Sequence, residues 1–390
     1  MQIEKYPPMP YCPETEDVVL SLRILVVTKF YHPRIGGVET TVKELCENFV
    51  RWGHECTVVA MDKEHWGQEM INGVKVLRFP LDNKLLGGLN RHVWKHLKEQ
   101  LWYGCYDVIH IHSYHILLSA QTAYLCHTRS IPYVFSAHYH GKGHTPLRNV
   151  LFHAYHPLGR KVLQWSEAIS CVSDFEMNML LRDFRGLEGK VTVIPSGIKQ
   201  FVEVQVERRR DTILYVGRLS KYKGVDHVLR ALRWLKSHGR NVNLRVIGSG
   251  SEERALRDLA KDLGVDEQVT WLGEVGEDQL NRQYHEAGAL ILLSAAEAYG
   301  LVVAEALSCG TPTVVAKKEA LVEFLSEPGC VGIDYPPDTQ KVAETIAGVL
   351  DGTLIQHVGP FSHKIASWHL IADEYLRFYE GVIRSTRGKA

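Results

Sequence analysis

With 390 residues, 45% hydrophobic and 23% charged, the chain has the make-up of a globular protein and is too long for one hydrophobic core, so two domains are expected. A formal net charge of +0 argues against a nucleic-acid-binding protein. Eight cysteines without a C-x-x-C pair, a polar start and no long apolar run point to reduced thiols in the cytoplasm, no leader and no membrane span.

In chain order, residues 1–21 read as a tail. Arg23–Lys29 is a continuous apolar run, the pattern of a parallel strand buried on both faces. A loop with Gly36-Gly37 follows, then a helix with Val38, Val42, Leu45 and Phe49 on one side. Further strands are expected at His54–Met61, Asp107–His112, Pro132–Ala137, Ala168–Val172 and Val191–Ile194, with helical patterns between them. Pro195-Ser196-Gly197 breaks the last, and the polar run Glu203–Asp211 reads as a linker. The alternation then restarts, with strands at Ile213–Val216, Leu244–Ile247, Val269–Leu272, Ala289–Leu293 and Thr313–Val315, and a terminal aromatic helix at Ser367–Ile383. This predicts two doubly wound, Rossmann-like α/β domains facing across a cleft, at 22–200 and 201–365, with residues 366–390 as a final helical segment.

Four loops at strand carboxyl ends carry the chemistry. Gly36 and Gly37 open a helix, which suits close approach of phosphate or sugar, or simply a tight turn. In Gly217–Gly224 (GRLSKYKG), Arg218 and Lys223 can converge on a diphosphate, Arg as a fork and Lys as a point charge, with Lys221 competing for the second role. Gly248, in the loop Val246–Ser251, serves a nucleotide or a plain turn. Glu297 lies in a strand-to-helix loop and Glu305 in the following helix, with Tyr299, Gly300 and Leu301 between them. Such carboxylates accept from sugar and ribose hydroxyls while helix-start amides take a diphosphate; alone, they are equally a cap charge and a surface residue.

His110 and His112 alternate along one strand and share a face. His138, His140 and His144 follow the next strand, and His138, at a strand end, is either a group that hydrogen-bonds a sugar hydroxyl or helps a proton move, or a satisfied, partly buried histidine. These histidines lack partner Cys or Asp ligands for zinc, and no D-x-D triplet occurs to clamp Mg²⁺ or Mn²⁺, so no metal and no cofactor is expected. The basic, aromatic segments Lys84–Trp102 and Pro146–Trp165 fit either ordinary amphipathic helices or peripheral membrane contact.

Taken together, these motifs resemble the retaining glycosyltransferases of family 4, the glycosyl transferases group 1, which have the GT-B fold. The resemblance covers about residues 22–385: the Gly-Gly loop, DVIHIH, the histidine after FSA, IPSGI, GRLSKYKG, VIGSGSE, the E-x7-E stretch EAYGLVVAE with ALSCGTP, and SWHLIADEYLRFYE. Ser196 departs from the Asn usual there. The resemblance implies an acceptor-binding first domain, a nucleotide-sugar-binding second domain and a terminal helix that crosses back to the first. It also implies roles: Arg218 and Lys223 on the donor diphosphate, Glu297 on the donor sugar, Glu305 on the ribose, and the amides around Tyr299, Gly300 and Leu301 on sugar and phosphate. Gly37 would approach the diphosphate and His138 the sugar. The expected activity is metal-independent, retaining transfer of a hexosyl group from a GDP- or UDP-sugar to a glycan, lipid or small-molecule hydroxyl. An epimerase and a non-catalytic sugar-nucleotide-binding protein are the alternatives.

Overall fold

Arg23–Val27, apolar along its length, forms strand β1, and all but its first residue are buried. In the computed structural model, which describes residues 21–34, 36–62, 66–80, 91–103, 105–141 and 146–387, β1 lies inside an eight-stranded sheet. Residues 1–20 of the expected tail, His144 and residues 84–90 of the first basic segment lie outside the described residues. The chain divides into two units, one running to Ile194 and resuming at Trp368, the other Pro195–Ser367.

In the first unit β1 leads to helix α1 (Gly37–Arg51), then β2 (Glu55–Asp62), β3 (Gly67–Ile71), β4 (Val74–Pro80) and α2 (Arg91–Tyr103). There follow β5 (Val108–His112), α3 (Leu117–Thr128), β6 (Tyr133–Ser136), α4 (Pro146–Trp165), β7 (Ala168–Cys171), α5 (Asp174–Asp183) and β8 (Val191–Val193). The sheet order is β3-β4-β2-β1-β5-β6-β7-β8, parallel except for the β3–β4 pair. That pair is a hairpin absent from the sequence reading. Asn72 and Gly73, both with positive φ (50° and 82°), make its two-residue turn. The order changes direction between β1 and β5, so their carboxyl ends flank a switch point, where open α/β sheets hold ligands. Helix α5 is capped by Ser173, whose hydroxyl accepts from the Glu176 amide at 3.1 Å.

The second unit comprises β9 (Arg209–Val216), α6 (Val225–Ser237), β10 (Asn243–Ile247), α7 (Glu253–Asp262), β11 (Val269–Gly273), α8 (Glu277–Glu286), β12 (Ala287–Leu292), α9 (Leu301–Ser308), β13 (Thr313–Ala316), β14 (Cys330–Ile333) and α10 (Thr339–Leu350). Its six strands run β11-β10-β9-β12-β13-β14, all parallel, with the switch point between β9 and β12. Helix α6 shows why the alternation is stable: Val225, Val228, Leu229, Leu232 and Leu235 recur at helical spacing and are all buried. The first and last stretches of this unit meet, Ile198 pairing with Ser367 and donating its amide to the Ala366 carbonyl at 2.8 Å.

Helix α11 (Trp368–Arg387) belongs to the first unit although it follows the second in sequence. It packs on α1, with Phe49 against Tyr379 (5.7 Å between ring centroids) and Trp52 against His369 (4.9 Å). Among the described residues no helix is long and apolar enough to cross a membrane.

Candidate active site

The second unit brings two of its charged candidates, Lys223 and Glu297, into contact at the β9/β12 switch point. Gly217, with φ 150°, turns the chain out of β9. The turn is held by the Arg218 carbonyl, which accepts from the Tyr215 hydroxyl and the Ser220 amide, both at 3.0 Å. The Arg218 side chain is exposed. Lys221–Lys223 then form one 3-10 turn. At Gly224 (φ 74°) a Cβ would stand 2.2 Å from the Leu293 carbonyl oxygen, so only glycine lets this turn lie on the end of the β12 strand. The Ala295 amide donates to the Tyr222 carbonyl at 2.7 Å and laces the two loops together.

That lacing sets Lys223 Nζ 2.5 Å from Glu297 Oε1, with both side chains about 15% exposed (15% and 14%). Lys221, exposed in the same turn, forms no such pair among the described residues, so the geometry distinguishes two lysines that the sequence left in competition. The Glu297 amide donates to Glu319 Oε2 at 3.0 Å.

Glu305 sits differently. It is 8% exposed inside α9, and its Oε2 accepts from the Tyr284 hydroxyl at 2.7 Å. Burial pushes its carboxyl up to about 7, against the opposing pull of that hydrogen bond. Near neutral pH it can therefore either accept or donate. Gly300 (φ 109°) caps α9, and the Tyr299, Gly300 and Leu301 amides precede the first intrahelical bond, from Val303 to the Gly300 carbonyl. The Tyr299 side chain is turned into the core, its hydroxyl donating to the Lys364 carbonyl and its ring against Phe324, so its offering to the site is its amide.

Gly248 has a packing reason for being glycine. Its φ is 119°, and a Cβ there would meet the Gly217 carbonyl oxygen at 2.1 Å. Gly250 likewise abuts the Leu219 carbonyl at 2.2 Å. The loop after β10 lies directly on the loop after β9, and this close approach is between backbones.

In the first unit Gly36 is extended and its carbonyl accepts from the Thr40 amide at 2.9 Å, while nothing lies within 4 Å of a Cβ built on Gly37. The loop before them is held by Arg78 of β4, almost wholly buried, which donates to the His32 carbonyl while paired with Glu69 and Asp62. His138 is 8% exposed and left-handed, with φ 44°. Its Nε2 lies 3.1 Å from His112 Nδ1. The next amide, of Tyr139, donates to Glu176 Oε1 at 2.6 Å, and the Val172 amide donates to Glu176 Oε2 at 2.7 Å. Burial pushes the Glu176 carboxyl up to about 7.

Behind His138 runs a buried polar chain. The His110 and His112 rings lie tilted against each other with centroids 4.0 Å apart. His110 shares hydrogen bonds of 2.7 Å with the Tyr379 hydroxyl of α11 and with Ser136, and Ser136 with Ser170 at 2.6 Å. Burial lowers His110 and His138 to about 3 each and His112 well below its usual value, so all three imidazoles are neutral. His140, by contrast, is exposed. Among the described residues no group of three or more His, Cys, Asp or Glu side chains is placed to hold a metal ion.

Comparison with known proteins fits this layout. Residues 35–200 match the model of Glycosyltransferase Family 4, and residues 198–357 match that of Glycosyl transferases group 1. An uncharacterized glycosyltransferase of Methanocaldococcus jannaschii is 30% identical over 92% of this chain and 98% of its own. The chain belongs to glycosyltransferase family 4. The GDP-mannose:cellobiosyl-diphosphopolyprenol alpha-mannosyltransferase of Komagataeibacter xylinus is 23% identical, covering 93% of this chain and 94% of the relative. Among solved structures, sucrose-phosphate synthase from Thermosynechococcus elongatus superposes with a TM-score of 0.77 at 19% identity, over 93% of this chain and 100% of that one, which places this glycosyltransferase in the GT-B fold.

The sequence reading had no signal for Glu319, Glu176 or Arg78. Each acts on a backbone group brought close only by the fold.

Proposed function

We propose that this glycosyltransferase moves a hexosyl group, with retention and without a metal ion, from a GDP- or UDP-sugar to a hydroxyl of a glycan, lipid or small-molecule acceptor. The observation that carries the reading is the Lys223–Glu297 pair beside the exposed Arg218 at the second unit's switch point. A cation, a carboxylate and helix-start amides meet the three needs of a sugar diphosphate: charge neutralisation, a hydroxyl acceptor and phosphate donors.

In this reading Arg218, Lys223 and the amides of Tyr299, Gly300 and Leu301 hold the diphosphate. Glu297 orients the sugar, Glu305 takes the ribose, and Gly248 shapes the loop that abuts Gly217. The acceptor oxygen bonds to the anomeric carbon on the face from which the diphosphate departs. The carbon–oxygen bond to phosphate breaks, and the acceptor proton passes to the leaving oxygen. Arg218 and Lys223 stabilise the charge that develops there. Neutral His138 hydrogen-bonds a sugar hydroxyl without adding positive charge beside an oxocarbenium-like centre.

A lipid-linked acceptor at the cytoplasmic membrane surface is part of the proposal. It draws support from the diphosphopolyprenol in the relative's name and from α4, which exposes Val150 and Leu158 (66% and 39%). A panel of UDP-, GDP- and ADP-sugars tests the whole reading. One of them raises the melting temperature by mass action, and acceptor-dependent turnover yields a product whose anomeric configuration, read by NMR, matches the donor's. Inversion removes the retaining step. Conversion of the donor with no acceptor makes the protein an epimerase, and binding without any turnover makes it a sugar-nucleotide-binding protein.

A further inference from the structure

Glu319 opens the 3-10 turn after β13 with φ 49°, a left-handed conformation that a residue with a side chain rarely adopts. Strain of this kind persists where the surroundings gain from it, and residues carrying it cluster at functional sites. What the conformation achieves here is a two-point grip on one residue. Glu319 Oε2 accepts from the Glu297 amide at 3.0 Å, and the Ala320 amide donates to the Glu297 carbonyl at 3.4 Å. Both backbone groups of Glu297 are thus held by two consecutive residues of a neighbouring loop. The Glu297 side chain meanwhile reaches Lys223 at 2.5 Å.

The two carboxylates differ in what they face. Glu297 presents its carboxylate to a cation at the switch point, while Glu319 spends an oxygen on a backbone N–H. The Glu297 loop runs on into Gly300 and α9, so anything that anchors Glu297 also sets the start of the helix whose amides face the site.

We infer that Glu319 is a positioning residue for the transfer reaction. Through the Glu297 backbone it holds the Glu297 carboxylate on the transferred sugar when the donor diphosphate draws Lys223 away. The inference rests on the proposed function. It assigns to Glu319 a contribution to the chemical step, not to nucleotide affinity, because the diphosphate is held elsewhere.

Three variants test it on the full chain: Glu319→Gln, which keeps an oxygen acceptor; Glu319→Ala, which removes it; and Glu319→Gly, which removes it while relieving the left-handed backbone. With whichever sugar nucleotide the wild type turns over, Glu319→Ala lowers kcat about tenfold or more while the Kd of the free nucleoside diphosphate stays within about twofold. Glu319→Gln restores most of kcat. Glu319→Gly melts no lower than Glu319→Ala yet remains as slow, which separates positioning from fold maintenance. Hydrogen exchange of the backbone amides around Glu297 provides a readout independent of activity, faster in the Ala and Gly variants and unchanged in Gln. Wild-type kcat in Glu319→Ala, a loss confined to nucleotide Kd, or unchanged exchange in that variant overturns the inference. A wild type inert on every sugar nucleotide overturns the proposed function instead, and the exchange experiment still decides whether the grip exists.

Discussion

The switch-point cluster of the second unit and the histidine cluster of the first are kept in opposite electrical states. At the switch point of the second unit, Arg218, Lys223, Glu297 and Glu319 gather, with Lys223 and Glu297 paired and only partly exposed. In the first unit His110, His112 and His138 are buried and held neutral, joined to one another and to Tyr379 by rings and hydrogen bonds. Charge that must meet a dianionic ligand has to stay near water, because a desolvated unpaired ion is costly. Neutral groups carry a smaller penalty, so they can be packed into a core and fix a shape even though, among the described residues, His112 Nε2 has no hydrogen-bond partner. The first arrangement is suited to stabilise a leaving group, the second to hold one imidazole still.

Arg218→Ala tests the charged side hardest. Its exposed side chain supports little of the fold, so thermal stability should move by less than about 0.5 kcal/mol. Loss of one charge-stabilising contact to the leaving group should lower kcat/KM by about 10²–10³. Near-normal turnover with a well-folded variant would remove Arg218 from the site and leave the contrast between the units without functional meaning.

Glu305 breaks the pattern, since it is proposed for the second unit's site and yet is buried like the groups of the first. Its folded carboxyl titrates at about 7, above the ordinary value of roughly 4.3 for an unfolded glutamate. Between those values the folded state binds more protons than the unfolded, so this residue's contribution falls as pH rises through the window, by on the order of 3 kcal/mol in all. The buried imidazoles act with the opposite sign, losing stability as pH falls below roughly 6.5 towards their folded values. Glu305→Gln stays neutral and keeps an acceptor for Tyr284. Its melting temperature relative to wild type should therefore rise steadily from pH 5 to pH 7.5 and then level. A flat difference would place Glu305 in contact with water and ally it with the exposed charges.

On the neutral side, Tyr379→Phe deletes the hydroxyl that meets His110 Nδ1 at 2.7 Å and leaves a buried ring nitrogen without that partner. A cost of about 1–3 kcal/mol is expected, read as a lower urea midpoint at unchanged m-value. An unchanged midpoint would mean that the chain from α11 to His138 is packing alone.

These two arrangements were unequally legible. The doubly wound alternation is written in continuous apolar runs such as Arg23–Val27, because parallel strands are buried on both faces. The β3–β4 hairpin was readable from Asn72-Gly73 between Ile71 and Val74 but escaped, since its strand β3 is largely exposed and lacks an apolar run. Arg218, Lys223, Glu297 and Glu305 follow strand ends, where position makes them candidates, and the family resemblance supplies the roles proposed for them. Glu319, Glu176 and Arg78 grip backbone groups 22, 37 and 46 residues away, and a single charged residue carries no mark of such a partner. The same holds for His110 and Tyr379, 269 residues apart. His110 and His112 were readable as sharing a strand face, whereas the chain that reaches them from α11 was not.

The smallest expected effect is the sharpest test of how narrowly charge is placed. Lys221 and Lys223 sit in one 3-10 turn, two residues apart, and composition cannot rank them. Only Lys223 points to Glu297. Lys221→Ala should change stability by less than about 0.5 kcal/mol and kcat/KM by less than about twofold, as an exposed surface cation does. Lys223→Ala removes the partner of a largely buried carboxylate together with the proposed diphosphate contact, and should cost at least about tenfold in kcat/KM. If the two variants were equally slow, diffuse positive potential would explain the loop, and the pairing with Glu297 would be incidental. If Lys221→Ala were the slower, the donor would have to draw the turn round on binding.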